Sequence, residues 1–170
     1  MAANCTGPNS QYQSTAECMT ACQYIPAGDA GSGNTLQCHY QHATYAGSIG
    51  PNPHCWHAGP YGWGVCGDQC GDFCQITANY CTPDGGFTAD SGPPYANVSD
   101  CTTACAGFAM VGGDSGVAIV DGGFTSMGPA SGNTLDCREW HLENALLNGS
   151  GSATQQLHCT HVGMTSPVCK

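Results

Sequence analysis

The feature that most constrains this chain is a two-part motif of histidine and cysteine that occurs twice. The first part reads Gly-Asn-Thr-Leu-x-Cys-x-x-x-His and covers residues 33–42 and 132–141. The second part reads His-Cys-x-His-x-Gly and covers residues 54–59 and 158–163. Six of the seven histidines therefore occupy matching positions. An internal repeat usually reflects a repeated structural unit, so the sequence predicts two similar halves that each carry three histidines.

The same alignment divides the chain into two pseudo-repeats. We expect residues 1–80 to form the first Cys/His repeat and residues 81–170 to form the second, with a glycine-rich insert at 106–130. Six cysteines of the first half match six of the second: Cys5, Cys18, Cys22, Cys38, Cys55 and Cys66 match Cys81, Cys101, Cys105, Cys137, Cys159 and Cys169. The two remaining cysteines, Cys70 and Cys74, have no counterpart before Cys5.

The cysteine content predicts a small disulfide-rich protein. The chain has 14 cysteines among 170 residues and few large aliphatic side chains, so cross-links must supply stability that a thin core does not. Disulfides persist outside the reducing cytosol, which indicates an extracellular or cell-surface protein. The competing interpretation is a reduced, thiolate-rich metal store. The cysteines are spread along the chain and are not grouped in Cys-x-x-Cys pairs, which disfavours that alternative.

We expect a mainly α fold with long irregular loops. Capping residues and apolar spacing predict helices over residues 15–24, 36–46 and 135–147. A shorter helix should end before Cys81, and Ser99 should cap the start of another. Within the insert, residues 117–120 are apolar and could form a short strand or a packed loop.

Cys70 and Cys74 lie one turn apart on one predicted helix, and Cys101 and Cys105 lie one turn apart on another. These two helices can pair as a hairpin. The pairings this would produce are Cys70 with Cys105 and Cys74 with Cys101, although spacing alone does not select one connectivity. The helix that carries Cys18 and Cys22 would then lack an equivalent partner. An incomplete end of a repeat can be completed by another subunit, so we expect a homo-oligomer, possibly a head-to-tail filament.

The repeated histidines predict metal binding. Neutral imidazole binds copper, zinc, iron or nickel, and three imidazoles leave a coordination position open. The two predicted ligand sets are His42, His54 and His57 in the first half and His141, His158 and His161 in the second. Copper is the first choice of metal, with one or two ions per chain, because it leads the stability order at nitrogen ligands. Zinc is the second choice.

Neighbouring cysteines should hold each set of histidines together. A bridge at Cys38 would fix the helix that carries His42, and a bridge at Cys55 could hold His54 and His57 near that helix. Two arrangements remain open at this point. The six histidines could meet in one binuclear centre, or each set could form a separate mononuclear site.

Other polar residues are given structural or supporting roles. We expect His39 at the surface or beside a ligand, because Arg138 replaces it in the second half. The carboxylates Asp136, Glu139 and Glu143 should be solvated or should orient an imidazole. No combination of serine, histidine and aspartate has a diagnostic spacing, so no catalytic residue is predicted.

Charge excludes one class of partner. The chain has two lysines and arginines against twelve carboxylates, so it lacks the basic surface needed to bind nucleic acid. No stretch approaches the length of a membrane-spanning helix. Charged residues make up only 8% of the chain, which is compatible with self-association.

The repeated Gly-Asn-Thr-Leu-x-Cys-x-x-x-His and His-Cys-x-His-x-Gly motifs resemble secreted repeat proteins proposed to form extracellular copper-containing filaments. The resemblance covers residues 32–66 and 131–169 and implies copper binding and assembly. In number alone, the six histidines also resemble the ligands of type 3 binuclear copper proteins. The helical His-x-x-x-His spacing of that class is absent here, so its fold and oxygenase activity are not carried over.

Taken together, these patterns predict an extracellular, metal-binding and disulfide-rich subunit of a filament or surface assembly. The metal, expected to be two copper ions, would serve structure, storage or electron transfer. One alternative is a type 3-like binuclear copper enzyme that acts with dioxygen. Another is a metal-free secreted structural or adhesion protein whose histidines only form hydrogen bonds.

Overall fold

The computed structural model describes residues 3–90, 92–109 and 130–170. Within these ranges the protein is mainly helical, with long irregular loops, six disulfides and no β-strand. Its α-helices are α1 (Thr15–Cys22), α2 (Leu36–Ser48), α3 (His54–Ala58), α4 (Gln69–Tyr80), α5 (Val98–Cys105), α6 (Leu135–Leu146) and α7 (Ala153–Cys159). The predicted fold class is confirmed. The apolar segment 117–120 lies outside the described residues.

Side-chain caps explain where the longest repeated helices begin. Thr35 precedes α2 and accepts a hydrogen bond from the Cys38 amide at 3.1 Å. Thr134 precedes α6 and accepts one from the Cys137 amide at 3.1 Å. Threonine at this position satisfies a backbone donor that the first helical turn leaves free. The motif before His42 and His141 therefore encodes a helix start.

The predicted start of α5 at Ser99 is wrong. Asn97 is the capping residue, and its side chain accepts a hydrogen bond from the Asp100 amide at 3.0 Å. Asparagine is among the strongest N-caps, so it begins the helix before Ser99 is reached.

The disulfides repeat with the sequence. Cys5–Cys55 in the first half corresponds to Cys81–Cys159, and Cys38–Cys66 corresponds to Cys137–Cys169. The two remaining bridges, Cys70–Cys105 and Cys74–Cys101, join α4 to α5 and confirm the predicted hairpin. Cys18 and Cys22 on α1 are unpaired. The Cys55 bridge was expected to hold the histidines near the α2 helix; it runs to Cys5, and both cysteines share a small buried cluster with Ala46 of α2.

Both sequence repeats contribute to one hydrophobic core around α4 and α6. Fully buried side chains from α4, including Phe73 and Ile76, share this core with Leu142 and Leu146 of α6. The buried hydroxyl of Tyr80 donates a hydrogen bond to the Ala145 carbonyl at 2.9 Å. The boundary between the two sequence repeats, placed between residues 80 and 81, stays a prediction. No helix in the described part of the chain is long and apolar enough to cross a membrane.

Candidate metal centre

The first candidate site, here called triad A, consists of His42, His54 and His57. His42 lies on α2, and the other two lie on α3, where residues three apart share one helical face. The Nδ1 atom of His42 is 3.1 Å from Nδ1 of His54 and 3.2 Å from Nδ1 of His57. Nitrogen atoms of all three rings lie within 4.8 Å of one another. The structure therefore brings the three predicted residues together.

The second candidate site, here called triad B, repeats this geometry with His141, His158 and His161. The Nδ1 atom of His141 is 2.8 Å from Nδ1 of His158 and 3.3 Å from Nδ1 of His161. Its ring nitrogens also lie within 4.8 Å of one another. The same nitrogen of the helix-borne histidine thus faces two others in both halves.

The triads are held by matching disulfides. Cys38 precedes His42 by one helical turn and ties α2 to Cys66. Cys55 lies between the two α3 histidines and ties that helix to Cys5. Cross-links at these positions fix α2 and α3 relative to the segments around them, which limits how far the rings can separate.

The two triads form separate clusters. Each ring of triad A contacts the other two rings of triad A, with centroids 4.7–6.3 Å apart. Triad B shows the same pattern, with centroids 4.5–6.1 Å apart. Among the described residues, no ring contact joins one triad to the other. This arrangement favours two separate three-histidine sites over one binuclear centre.

The spacing of the Nδ1 atoms fits a shared cation. Three nitrogens held about 2.0 Å from one ion, at tetrahedral angles, would lie about 3.3 Å apart. The observed separations of 2.8–3.3 Å are close to this value. A hydrogen-bonded arrangement fits less well, because one ring nitrogen carries either one hydrogen or one lone pair. His42 Nδ1 can therefore satisfy only one of its two neighbours, whereas a cation satisfies all three.

Burial favours the neutral form of the central histidine of each triad, His42 or His141. His42 and His141 are 8% and 4% exposed, while the other four are half-buried. Desolvation lowers the pKa of His141 to about 4, although a backbone hydrogen bond at Ala130 opposes this effect. Burial also lowers the pKa of His42, with a smaller contribution from neighbouring His54. Neutral imidazoles present the lone pairs that metal coordination requires.

The environment of His141 also fixes its tautomer. Its Nε2 atom lies 3.2 Å from the carbonyl oxygen of Ala130, which can only accept a hydrogen bond. The ring must therefore donate from Nε2, which leaves a lone pair on Nδ1, the atom that faces the other two histidines. Hydrogen bonds of this kind orient the ligands of natural metal sites.

An aromatic ring borders each triad, and neither ring was predicted from the sequence to lie there. Tyr45 packs against His42 and His54, with centroids 5.8 and 5.4 Å apart. Trp140 packs against the rings of triad B, at 4.7 Å from His141. Tyr45 follows its histidine by three positions and Trp140 precedes its own by one. Counted from the matching histidine, the two aromatic positions differ by four residues, which is one helical turn, so they lie on the same face of the helix. This spacing was the signal available in the sequence.

His39 was expected at the surface or beside a ligand, and the surface position is wrong because the side chain is buried. It is 5% exposed, and its Nε2 atom lies 3.3 Å from the side-chain oxygen of Asn34. Desolvation lowers the pKa of His39 to about 4. The matching Arg138 is also buried, and it donates hydrogen bonds to the Thr134 and Cys169 carbonyls at 2.8 and 2.9 Å. Both side chains thus fill space behind the capped helix start.

The expectation of solvated carboxylates on α6 is wrong. Asp136, Glu139 and Glu143 are 6%, 4% and 2% exposed. Burial raises the pKa of Glu139 and Glu143 well above the ordinary value. Glu17 of α1 is also fully buried, and desolvation raises its pKa to about 7. A protonated carboxyl group is much less costly to bury than a carboxylate, which accounts for the three glutamates in the core.

Disulfide sulfurs lie close to one histidine of each triad. Cys38, His42 and Cys66 have ligand atoms within 4.8 Å of one another, as do Cys137, His141 and Cys169. Both cysteine pairs are oxidised. Because metal ions bind the thiolate form of cysteine, the imidazole nitrogens are the better ligands in this state.

The first part of the chain is similar to a known protein family. The sequence model of a family described as the BfoA family C-terminal domain matches residues 1–72. The match includes all of triad A but covers less than half of the chain. No curated protein and no solved structure gives a significant match.

Proposed function

We propose that this chain is an extracellular copper-binding subunit in which each histidine triad holds one copper ion. The observation that carries the proposal is the position of Nδ1 in His42 and His141, which each face two further Nδ1 atoms at 2.8–3.3 Å. The repetition of this geometry in both halves supports a common role. The proposed ligands are His42, His54 and His57 in triad A, and His141, His158 and His161 in triad B.

The donor set supports copper over other metals. Copper stands highest in the affinity order at imidazole nitrogen, and zinc is the second candidate. Twelve of the fourteen cysteines form disulfides, so few thiolates are available to redirect the site toward thiolate coordination. Bound copper would supply one-electron chemistry between Cu(I) and Cu(II). The protein residues would hold the ion and orient its ligands, and burial favours the neutral form of His42 and His141.

The disulfides support an oxidising compartment, because such bridges do not persist in the reducing cytosol. We place the chain outside the cell or at the cell surface on this basis. The resemblance to secreted copper-filament proteins supports a role in a filament or surface assembly. In that setting the metal would serve structure, storage or electron transfer.

Metal stoichiometry tests the proposed site. The chain should be purified without chelator, loaded with Cu(II), desalted and analysed for bound metals. We expect two equivalents of copper per chain. His54→Ala and His158→Ala remove half-buried ligands from triads A and B, so each should retain one equivalent. Leu157→Ala is the control, because this 55% exposed side chain neighbours His158 without belonging to the triad.

Two outcomes would reject the proposed function. Less than half an equivalent of any transition metal would favour a metal-free structural protein. Oxidation of phenols by the copper-loaded chain with dioxygen would favour the binuclear enzyme. Negative-stain imaging tests assembly separately, and a monodisperse monomer across salt and protein concentration would remove the filament.

A further inference from the structure

The dithiol on α1 stands out when the two repeats are compared. Cys18 and Cys22 lie one turn apart on α1, and both are unpaired. The matching residues on α5, Cys101 and Cys105, each form a disulfide with α4. In the second repeat, α4 covers the cysteine-bearing face of α5. The matching face of α1 in the first repeat has no such helix bonded to it.

The α4–α5 contact shows how such a face is covered. Cys70, the first cysteine of α4, bonds to Cys105, the second of α5, and Cys74 bonds to Cys101. This crossed order requires the helices to run antiparallel. The corresponding Cα–Cα distances are 5.7 and 5.5 Å, within the ordinary disulfide range. Two helices that each carry Cys-x-x-x-Cys can therefore close two bridges at once.

The α1 face is accessible and uncharged. Cys18 and Cys22 are half-buried, and the neighbouring Met19 is 61% exposed. A groove of about 450 Å³ runs beside Cys18 and is also lined by Tyr12 and Met19. The only carboxylate on this helix, Glu17, is fully buried. The chain has a formal net charge of −10, so a face without exposed charge is a favourable place for two copies to meet.

We propose that α1 docks against α1 of a second copy across a twofold axis, with Cys18 bonded to Cys22 of the partner subunit and Cys22 bonded to the partner's Cys18. The disulfide pattern indicates α1 of a second copy as the partner of this helix face. All fourteen cysteines lie in the described residues, and twelve are already bridged. A second copy can therefore offer free thiols only from its own α1. A pair of antiparallel helices with the same spacing is self-complementary, as a twofold interface requires.

The chemistry of closure is thiol–disulfide exchange. Two copies contribute four thiols, and two molecules of oxidised glutathione accept the electrons and protons as four molecules of reduced glutathione. Two protein disulfides form and no other co-reactant is needed. A hydrogen bond from Cys18 lowers the pKa of Cys22, which favours the thiolate that begins the exchange.

This interface is independent of the metal sites and differs from a head-to-tail contact. A twofold interface closes on itself and gives a dimer. A filament built from such dimers would need a second contact surface. Failure of the α1 dimer would therefore leave the proposed copper sites unaffected.

Intact mass spectrometry under non-reducing conditions tests the proposal. The full chain should be incubated with oxidised glutathione, and the expected product is a dimer lighter than two monomers by four hydrogens. A mixture of ¹⁴N- and ¹⁵N-labelled chains should yield peptides in which Cys18 of one isotope is bonded to Cys22 of the other. The double variant Cys18→Ser/Cys22→Ser should remain monomeric.

Single variants provide a sharper test because the proposed bridges are crossed. Cys18→Ser retains Cys22, and Cys22→Ser retains Cys18. Mixing the two variants should give a heterodimer with one bridge, at least tenfold faster than either variant forms a homodimer alone. Far-UV circular dichroism and retention of the six native disulfides would confirm that each variant is folded.

Several results would overturn the proposal. These are a monomer with an internal Cys18–Cys22 bridge, a monomer with both thiols retained, a monomer carrying only glutathione, and homodimers of the single variants that form as fast as the heterodimer. Selective bonding of α1 to a cysteine helix of a different protein, in place of the dimer, would also overturn it.

Discussion

Replacing Glu17 with glutamine should stabilise the protein at neutral and alkaline pH. Desolvation raises the pKa of Glu17 from 4.5 to about 7, because its carboxyl group is fully buried between α1 and the core. Its Oε2 atom accepts a hydrogen bond from the Gln13 amide at 2.6 Å, and its Oε1 atom has no partner. Glutamine keeps the shape and an acceptor oxygen but cannot ionise. Glu17→Gln therefore isolates the cost of the buried charge.

The direction of the change in the free energy of unfolding follows from whether the folded or the unfolded chain holds the Glu17 proton more tightly. Below pH 4.5 the carboxyl group is protonated in both the folded and the unfolded chain. As the pH rises from about 4.5 to about 7, the unfolded chain loses this proton while the folded chain keeps it, so the free energy of unfolding decreases. One pH unit corresponds to about 1.4 kcal/mol, which gives a total loss of about 3 kcal/mol. Glu17→Gln should avoid this loss.

The assay is guanidinium unfolding of the metal-free, disulfide-intact chain at several pH values. We expect wild type and Glu17→Gln to have similar free energies of unfolding at pH 4, and the variant to be more stable by about 3 kcal/mol at pH 8. The control is Asp29→Asn, which changes an exposed carboxylate and should leave the pH profile unchanged. The reasoning is refuted if Glu17→Gln shows the same pH dependence as wild type, or is less stable at pH 8.

Two further predictions address the second triad and the core. Trp140 lies 4.7 Å from His141, so Cu(II) loading of triad B should quench its fluorescence, and Trp140→Phe should remove that component while copper stoichiometry stays at two. An unchanged quenching amplitude in the variant would contradict the placement. Tyr80→Phe removes a buried hydrogen bond to the Ala145 carbonyl and should lower the free energy of unfolding by about 1–3 kcal/mol. Equal denaturation midpoints for Tyr80→Phe and wild type would show that this bond contributes little.

Local sequence signals were sufficient for α1, α2, α4 and α6 and for the grouping of the six histidines into two triads, whereas the short helices α3 and α7 were not predicted. Thr35 and Thr134 mark helix starts because a side-chain oxygen at that position satisfies a free backbone amide. The duplicated histidines follow at fixed spacing from these caps. The double bridge between α4 and α5 was also predictable, because cysteines four residues apart share one helical face.

The features that sequence alone missed depend on tertiary packing. No local signal selects Cys5 as the partner of Cys55, since many connectivities satisfy the same spacing. Glu139 and Glu143 were assigned to solvent because carboxylates are usually exposed. They are buried because α1 and the core surround α6, and burial shifts them toward the neutral form. That shift depends on neighbours distant in sequence.

The central claim is that each triad binds one copper ion through imidazole nitrogen, and X-ray absorption of the copper-loaded chain tests it most directly. The nearest shell should contain nitrogen at about 2.0 Å, with the outer scattering of three imidazole rings and no sulfur at about 2.3 Å. His54→Ala and His158→Ala together should eliminate this signal and the bound copper. A sulfur shell, or an unchanged copper signal in the double variant, would contradict the account.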